Sequence, residues 1–271
     1  MSPLWRDEVA VYLAPRKLAL LRRARGLRPS VEAATEIAVT VGASGDLAPV
    51  LARLSDVLAE KTWHGAAARV VVADHPWVRY GIVPWPKTRL DEEGRLTHAR
   101  LVLGDAWGET VADWSVTLAD TPPGQACVAC AMPASLRGGI EDALAPARLS
   151  LVSLQPRLIV AFNAWRERLP ADDAWFVSVD DGSLSAVHLS GGAWDRVHMA
   201  RLPADWSVEL ERLKAFGRLT RAAGEPARMF VDAPAWMRRG VSAGEGIEWL
   251  EAGEGDGAQT DDLALLQRMH A

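Results

Sequence analysis

Two neighbouring aspartates and a glycine form the segment of this sequence with the clearest capacity for chemistry. Asp180, Asp181 and Gly182 follow the strongly apolar run Trp175–Val179. Carboxylates at the end of a buried strand can hold a metal–phosphate complex, so this turn is a candidate phosphate site. A plain β-hairpin turn uses the same residue types, and both interpretations stay open here.

A second segment lies where a predicted strand gives way to a helix, the position of phosphate loops and nucleophile elbows. This segment, Gly42-Ala43-Ser44-Gly45, lacks both the Lys-Ser/Thr pair and the G-x-S-x-G spacing, which favours an ordinary connector. The six histidines show no spacing typical of metal ligands. We therefore expect no catalytic residue, no metal site and no cofactor.

The two cysteines form a C-x-x-C pair that invites a redox or zinc interpretation. Cys127 and Cys130 lie in the apolar run 126–132, which is typical of a buried strand. Side chains three residues apart on a strand point to opposite faces, so the two thiols should diverge. No second cysteine pair exists to complete a four-thiolate zinc site. We expect buried structural thiols.

The charge balance excludes an obvious nucleic-acid binder, because the formal net charge is −5. Arginines and a lysine between Arg16 and Arg28 alternate with apolar residues, which favours a solvated strand face, with contact to anionic lipid heads as the alternative. The N-terminus carries charges where a signal peptide would be apolar, and no apolar run is long enough to span a membrane. We expect a soluble, cytoplasmic protein that reaches the inner membrane only through a partner.

Aromatic residues supply the candidate contact surface for such a partner. Among twelve tryptophans, Trp77 and Trp85 flank a predicted strand and a Pro-Trp-Pro corner, with Arg79 and Tyr80 close by. Tryptophan and arginine are typical anchors of protein interfaces. Packing in the core or at a sheet edge is the alternative for all four residues.

The elements that position these residues alternate between strands and helices along the whole chain. Each half begins with three adjacent strands before a helix, which predicts a duplicated α/β architecture. The polar, proline-containing break at 169–173 predicts the boundary between the halves. We expect lobes of 1–168, with an inserted subdomain at about 69–120, and 169–271.

This order of elements resembles the actin-like PilM proteins of type IV pilus machinery and the cytoplasmic domain of GspL from type II secretion. The resemblance rests on Val70–Ala73, Trp77–Pro84, Cys127–Pro133, Leu149–Pro156 and Trp175–Ser183. It implies an actin-like α/β fold with two lobes, each built on a mixed sheet flanked by helices. An unrelated two-domain α/β protein is the alternative, and it would not contain two similar five-stranded sheets.

The departures from the actin-like pattern affect its nucleotide-binding turns. The first hairpin turn, Ala14-Pro15-Arg16, lacks the family's carboxylate and glycine, and the late segment 230–234 lacks a glycine cluster. Only Asp180 and Gly182 remain, as a vestigial phosphate turn. The resemblance therefore implies a non-catalytic scaffold that docks the cytoplasmic tail of a bitopic inner-membrane protein, with the assembly ATPase as a further partner. The alternative is an ATP-binding or ATP-hydrolysing enzyme of the actin, sugar-kinase and Hsp70 superfamily.

Overall fold

The computed structural model describes residues 7–26, 29–40, 46–170, 173–180, 182–203, 205–219, 228–238, 246–251 and 261–269. The predicted connector 42–45 lies outside these residues, as do Asp181 and residues 171–172 of the predicted boundary 169–173. The chain forms two compact units. The first unit comprises Met1–Trp77, Ala134–Val160 and Glu254–Ala271, and the second comprises Val78–Pro133 and Ala161–Gly253. The two units are defined by contacts between residues and do not test the boundaries of lobes. The predicted lobes of 1–168 and 169–271 therefore stay a prediction.

The first unit is built on a five-stranded mixed sheet. In chain order its strands are β1 (Glu8–Ala14), β2 (Lys17–Ala24), β3 (Ser30–Ala38), β4 (Ala67–Val72) and β8 (Ser150–Pro156). They lie in the order β3-β2-β1-β4-β8, with β1–β2 and β2–β3 antiparallel and β1–β4 and β4–β8 parallel. Every residue of β1 is buried, as expected for a central strand covered on both faces.

Helices α1 (Ala48–Leu58) and α3 (Ala134–Leu144) pack against each other in the same unit. Their apolar faces are buried at helical spacing, for example Val50, Leu54 and Val57 in α1. A Cβ atom on Gly139 of α3 would lie 2.6 Å from the end of the Leu51 side chain, so a larger residue there would require that side chain to shift. Asp46 accepts a hydrogen bond from the Ala48 amide but lies one residue before the helix cap.

The second unit repeats the same sheet with different residues. In chain order its strands are β9 (Ala174–Asp180), β10 (Ser183–Ser190), β11 (Ala193–Arg201), β12 (Arg228–Asp232) and β13 (Ile247–Trp249). The order is β11-β10-β9-β12-β13, again with two antiparallel pairs followed by two parallel pairs. Two sheets with one shared topology confirm the predicted duplicated α/β architecture.

A smaller three-stranded sheet completes the second unit. It contains β5 (Arg79–Val83), β6 (Trp114–Leu118) and β7 (Cys127–Pro133) in the order β5-β7-β6, with α2 (Glu92–Trp107) packed on it. Cys127 is buried in the core of this sheet and helix with Ala129 and Ala131, while Cys130 is half-buried, and neither cysteine forms a disulfide. The predicted burial therefore holds for Cys127.

Four more helices lie later in the chain: α4 (Arg157–Trp165), α5 (Ser207–Leu219), α6 (Ala235–Arg238) and α7 (Asp261–Arg268). The helix α7 packs against β1 and β2 of the first unit. The sequence pattern did not indicate α6, which has a single turn, and it placed β3 too late, at 36–41. Among the described helices, none is both long and apolar enough to cross a membrane.

Candidate functional site

The predicted phosphate turn lies at the tip of the β9–β10 hairpin. Asp180 ends β9 and pairs with Ser183, which begins β10, so two residues form the loop. Gly182 in this loop has a φ angle of +97°, a conformation that glycine adopts without strain. The Asp180 carboxylate is 3% exposed. The turn thus has the geometry of a tight hairpin with a buried acidic residue at its base.

A second buried carboxylate lies at the end of the neighbouring strand. β12 runs parallel to β9 with Asp232 in register with Ser178, and Asp232 is 5% exposed. The chain then continues through Ala233 and Pro234 into α6, and the Pro234 carbonyl accepts hydrogen bonds from the amides of Met237 and Arg238. A proline followed by a helical turn occupies the place where actin-like ATPases have glycines.

The corresponding turn of the first unit has different chemistry. Ala14 pairs with Lys17, so Pro15 and Arg16 form the loop between β1 and β2. Proline has a fixed φ and no amide proton, and neither residue provides a carboxylate. This turn cannot present the acidic side chain and the flexible backbone of an actin-like phosphate turn.

A cluster of charged side chains lies beside that turn within the first unit. The Lys17 ammonium lies 2.5 Å from the carboxylate of Asp262, which is in the first turn of α7. The Arg157 guanidinium, at the start of α4, lies 3.9 Å from the same carboxylate. Both cations also lie over the ring of Tyr12, at 5.6 and 5.8 Å from its centre. The side chains of Arg157 and Asp262 are each 5% exposed, so this ion cluster is largely removed from water.

The N-terminus of α4 is also occupied by a carboxylate of the same chain. Asp74 follows β4, is 3% exposed, and accepts a hydrogen bond of 3.2 Å from the amide of Leu158. Helix N-termini attract anions because their first amides have no partner within the helix. In the first unit, the groups that could attract a phosphate therefore contact Asp74 and Asp262 instead.

The two strand ends therefore differ in what they could bind. The Asp180 turn retains a carboxylate and a glycine, which suit a metal–phosphate complex. The first unit offers cations that are already paired with carboxylates. Among the residues that the structure describes, no group of three or more His, Cys, Asp or Glu could hold a metal ion.

Two of the four predicted partner-contact residues are buried. Trp77 is 4% exposed, and Tyr80 is 3% exposed. The Tyr80 ring packs 6.5 Å from that of Trp194 on β11, and Trp194 in turn packs 5.0 Å from Phe162. Burial of Trp77 and Tyr80 favours the alternative of core packing, and their role in partner binding stays a prediction.

Arg79 is held between two indole rings beside the three-stranded sheet. Its guanidinium lies 5.0 Å from the ring centre of Trp107 and 5.4 Å from that of Trp114. Burial lowers the pKa of Arg79, because desolvation disfavours the charged form. Aromatic faces offset part of that cost, since a desolvated cation–π contact contributes about 2 kcal/mol. These contacts favour a packing role for Arg79, and its role in partner binding stays a prediction.

Trp85 is the predicted contact residue that a partner can reach. It follows β5 in the Pro84-Trp85-Pro86 corner, and 40% of its surface is exposed. The Arg95 guanidinium of α2 lies 5.7 Å from its ring centre. A crevice of about 10 Å³, room for one water molecule, lies beside it. A partner would therefore contact the indole surface itself, and its role in binding stays a prediction.

Sequence reasoning missed the buried ion cluster of Lys17, Arg157 and Asp262. The sequence indicates for Asp261-Asp262 only favourable charge at a helix start. The useful signal is a lysine directly after the first hairpin turn, where the resemblance implies a phosphate turn. No spacing rule connects residue 17 with residue 262, so the contact emerges only from the packing of α7 on β1 and β2.

No protein family and no curated protein matches this sequence. Its fold is similar to those of many solved structures, and the three described here align at low identity. The PilM–PilN type IV pilus biogenesis complex aligns with a TM-score of 0.59 and 16% identity, covering 83% of this chain and 80% of that chain. The second structure is the cytoplasmic domain of EpsL, an inner-membrane component of the type II secretion system of Vibrio cholerae. It aligns with a TM-score of 0.58 and 12% identity, covering 97% of this chain and 94% of that chain.

The third structure is a Bacteroides thetaiotaomicron protein with an actin-like ATPase fold and unknown function. It aligns with a TM-score of 0.61 and 10% identity, covering 97% of this chain and 96% of that chain. Identities this low establish the fold alone. The chain has the actin-like ATPase fold, and the predicted structural resemblance to PilM and to the GspL-type protein EpsL is confirmed.

Proposed function

We propose that this chain, which has the actin-like ATPase fold, is a non-catalytic scaffold of a type IV pilus or type II secretion-like machine. It acts on the cytoplasmic side of the inner membrane and docks the cytoplasmic tail of a bitopic membrane protein. The assembly ATPase is its second partner. This combination follows the structural similarity to PilM, whose solved complex contains PilN, and to EpsL, a component of a secretion system.

The ion cluster of the first unit is the observation that favours a scaffold. Actin-like ATPases need an acidic, glycine-containing turn in this hairpin. Here the turn contains Pro15, and the adjacent Lys17 is paired with Asp262 at 2.5 Å. A phosphate would have to displace a buried carboxylate to reach this cation, and breaking a buried ion pair is costly.

A binding experiment with synthetic tails tests the docking role. Peptides that match the cytoplasmic tails of bitopic membrane proteins encoded beside this chain are labelled and titrated with the full chain by fluorescence anisotropy. We expect one tail to bind with saturation. Because interface tryptophans contribute about 2 kcal/mol or more, Trp85→Ala should weaken its binding at least tenfold.

Trp236→Ala is the matched control, because Trp236 lies on α6 and is 61% exposed. This variant should bind the tail as the unchanged chain does. If no tail binds, the scaffold role is contradicted. If a tail binds equally well to the Trp85 and Trp236 variants, the docking role stands and the Trp85 surface is excluded from it.

The retained turn at Asp180 and Gly182 favours a second candidate, an ATP-binding or ATP-hydrolysing enzyme. It predicts that ATP with magnesium raises the melting temperature, since a ligand at 100 times its dissociation constant stabilises a protein by about 2.7 kcal/mol. Asp180→Ala should abolish the shift, while Asp120→Ala, at an exposed loop position, should keep it. The absence of any shift at millimolar ATP would eliminate this candidate.

A further inference from the structure

An open cavity of about 260 Å³ lies in the second unit, where α5 passes over the second sheet beside the edge strand β11. Small-molecule sites begin at about 300 Å³, so the space suits a compact ligand with one or two rings. This cavity is separate from the strand ends and from the Trp85 surface described above.

Four of the seven residues that line the cavity are apolar, and two of these four are aromatic. Trp175 of β9 and Leu213 of α5 are 1% and 3% exposed, and Val197 of β11 lies beside them. Phe216 of α5 closes the opening, with its ring centre 6.3 Å from that of Trp175 and 37% of its surface exposed. Flat apolar walls of this kind favour a flat apolar ligand.

Two buried nitrogen atoms of the lining residues have no hydrogen-bond partner within the described part of the chain. They are Nε1 of Trp175 and Nε2 of His198. A buried indole N–H without an acceptor is costly, and indole N–H groups in protein interiors usually have a partner. Both nitrogens are covered from solvent, so the residues that carry them line the cavity without offering these atoms to a ligand.

Two guanidinium groups, those of Arg196 and Arg212, are among the groups that line the cavity. The Nε of Arg196 in β11 donates a hydrogen bond of 3.3 Å to the carboxylate of Asp195. The Nη1 of Arg212 in α5 donates one of 3.0 Å to the carboxylate of Glu209. Arginine has five N–H donors, so a single ion pair leaves each guanidinium with further donors. Arg196 also lies 4.6 Å from the ring centre of Phe216, at the edge of the cavity. Arginines placed in this way suit a carboxylate.

We propose that this cavity binds a small molecule with a flat apolar body and one carboxylate group. The body packs between Trp175, Phe216 and Leu213. The carboxylate accepts hydrogen bonds from the guanidinium groups of Arg196 and Arg212. This site is independent of the proposed scaffold function and requires neither a nucleotide nor a membrane partner.

Indole-3-acetate and its neutral isostere indole-3-acetamide distinguish charge recognition from simple apolar binding. Isothermal titration of the full chain should show one indole-3-acetate site, with the amide binding at least tenfold more weakly. Arg196→Gln should weaken binding of the acid about fivefold or more and leave binding of the amide unchanged. Val197→Phe, which fills the cavity, should weaken both ligands.

Arg137→Gln is the matched control, since Arg137 is an exposed arginine of α3 in an ion pair with Glu141. It should not change the affinity for either ligand. Equal affinities for indole-3-acetate and indole-3-acetamide would overturn the proposal. So would the absence of any binding of indole-3-acetate at concentrations up to about 10 mM. Tighter binding of a blocked Phe-Glu dipeptide than of indole-3-acetate would also overturn it, in favour of an acidic peptide.

Discussion

The two five-stranded sheets have the same topology but different chemistry at their first hairpin turns. In the first sheet, Pro15 is in the turn, and the neighbouring Lys17 is paired with a carboxylate from α7. In the second sheet, Asp180 and Gly182 retain the residue types of a phosphate turn. Strand order therefore depends on the buried apolar pattern, while the turn residues can change without altering the sheet.

The difference also concerns how each turn region is stabilised. The first sheet depends on long-range ion pairs that join residues 17, 157 and 262. The second depends on a local glycine conformation and on the apolar core around Trp175 and Met229. Substitutions should therefore cost most where a buried charge loses its partner, and least where only local backbone freedom changes.

The largest effect should follow from Asp262→Asn. The change leaves Lys17 and Arg157 without their shared carboxylate, and breaking a buried ion pair in this way costs about 3–5 kcal/mol. Urea denaturation followed by circular dichroism should show that loss in the free energy of unfolding. Glu141→Gln removes the exposed ion pair with Arg137 and should change the stability by less than about 1 kcal/mol. Equal effects of the two variants would contradict the importance of the buried cluster.

A smaller loss should follow from Gly182→Ala in the turn of the second sheet. The φ angle of +97° is unfavourable for alanine, at a cost of about 1–2 kcal/mol, although a Cβ atom there would contact nothing within 4 Å. Gly138→Ala is the control, since this helical glycine also has open space around it. It should be neutral or stabilising by about 0.5–1 kcal/mol. If both variants changed the melting temperature in the same direction, the positive φ angle of Gly182 would not explain the loss.

The smallest effect should follow from Pro15→Ala in the turn of the first sheet. Replacing proline increases the conformational freedom of the unfolded chain, at a cost of about 0.4–1 kcal/mol. Arg16→Ala changes the neighbouring exposed residue and should stay within about 0.5 kcal/mol of the unchanged chain. The same urea denaturation measures the free energy of unfolding of both turn variants. A larger loss for Pro15→Ala than for Gly182→Ala would contradict the expected order of the two turns.

Much of the fold could be predicted, because the local spacing of apolar residues indicates strands and helices. The run Val70-Val71-Val72 indicates a strand buried on both faces, and Asp91 followed by 92–107 indicates a capped helix; both are present. The duplicated sheets were predictable from two sets of three strands before a helix. β3 was placed too late because its alternation of exposed and half-buried residues is a weak apolar signal.

The side-chain partners could not be predicted, because they depend on distant contacts. Trp77 and Tyr80 have the composition of interface residues, yet tertiary packing buries both. The same packing places Trp107 and Trp114 on Arg79, although neither indole is close to Arg79 in the sequence. Residue type indicates what a side chain can do, while only the fold determines whether it contacts solvent or its own core.

The packing of α7 on β1 and β2 has a consequence for biosynthesis. Residues 261–268 form a helix that packs on the first two strands of the chain, so the first unit cannot acquire its full set of contacts until the ribosome has added that helix. Until then, the nascent chain carries Lys17 and Arg157 without the carboxylate that neutralises them. The second unit has no such requirement, because its strands lie between residues 79 and 249. We therefore expect the second unit to fold first during translation.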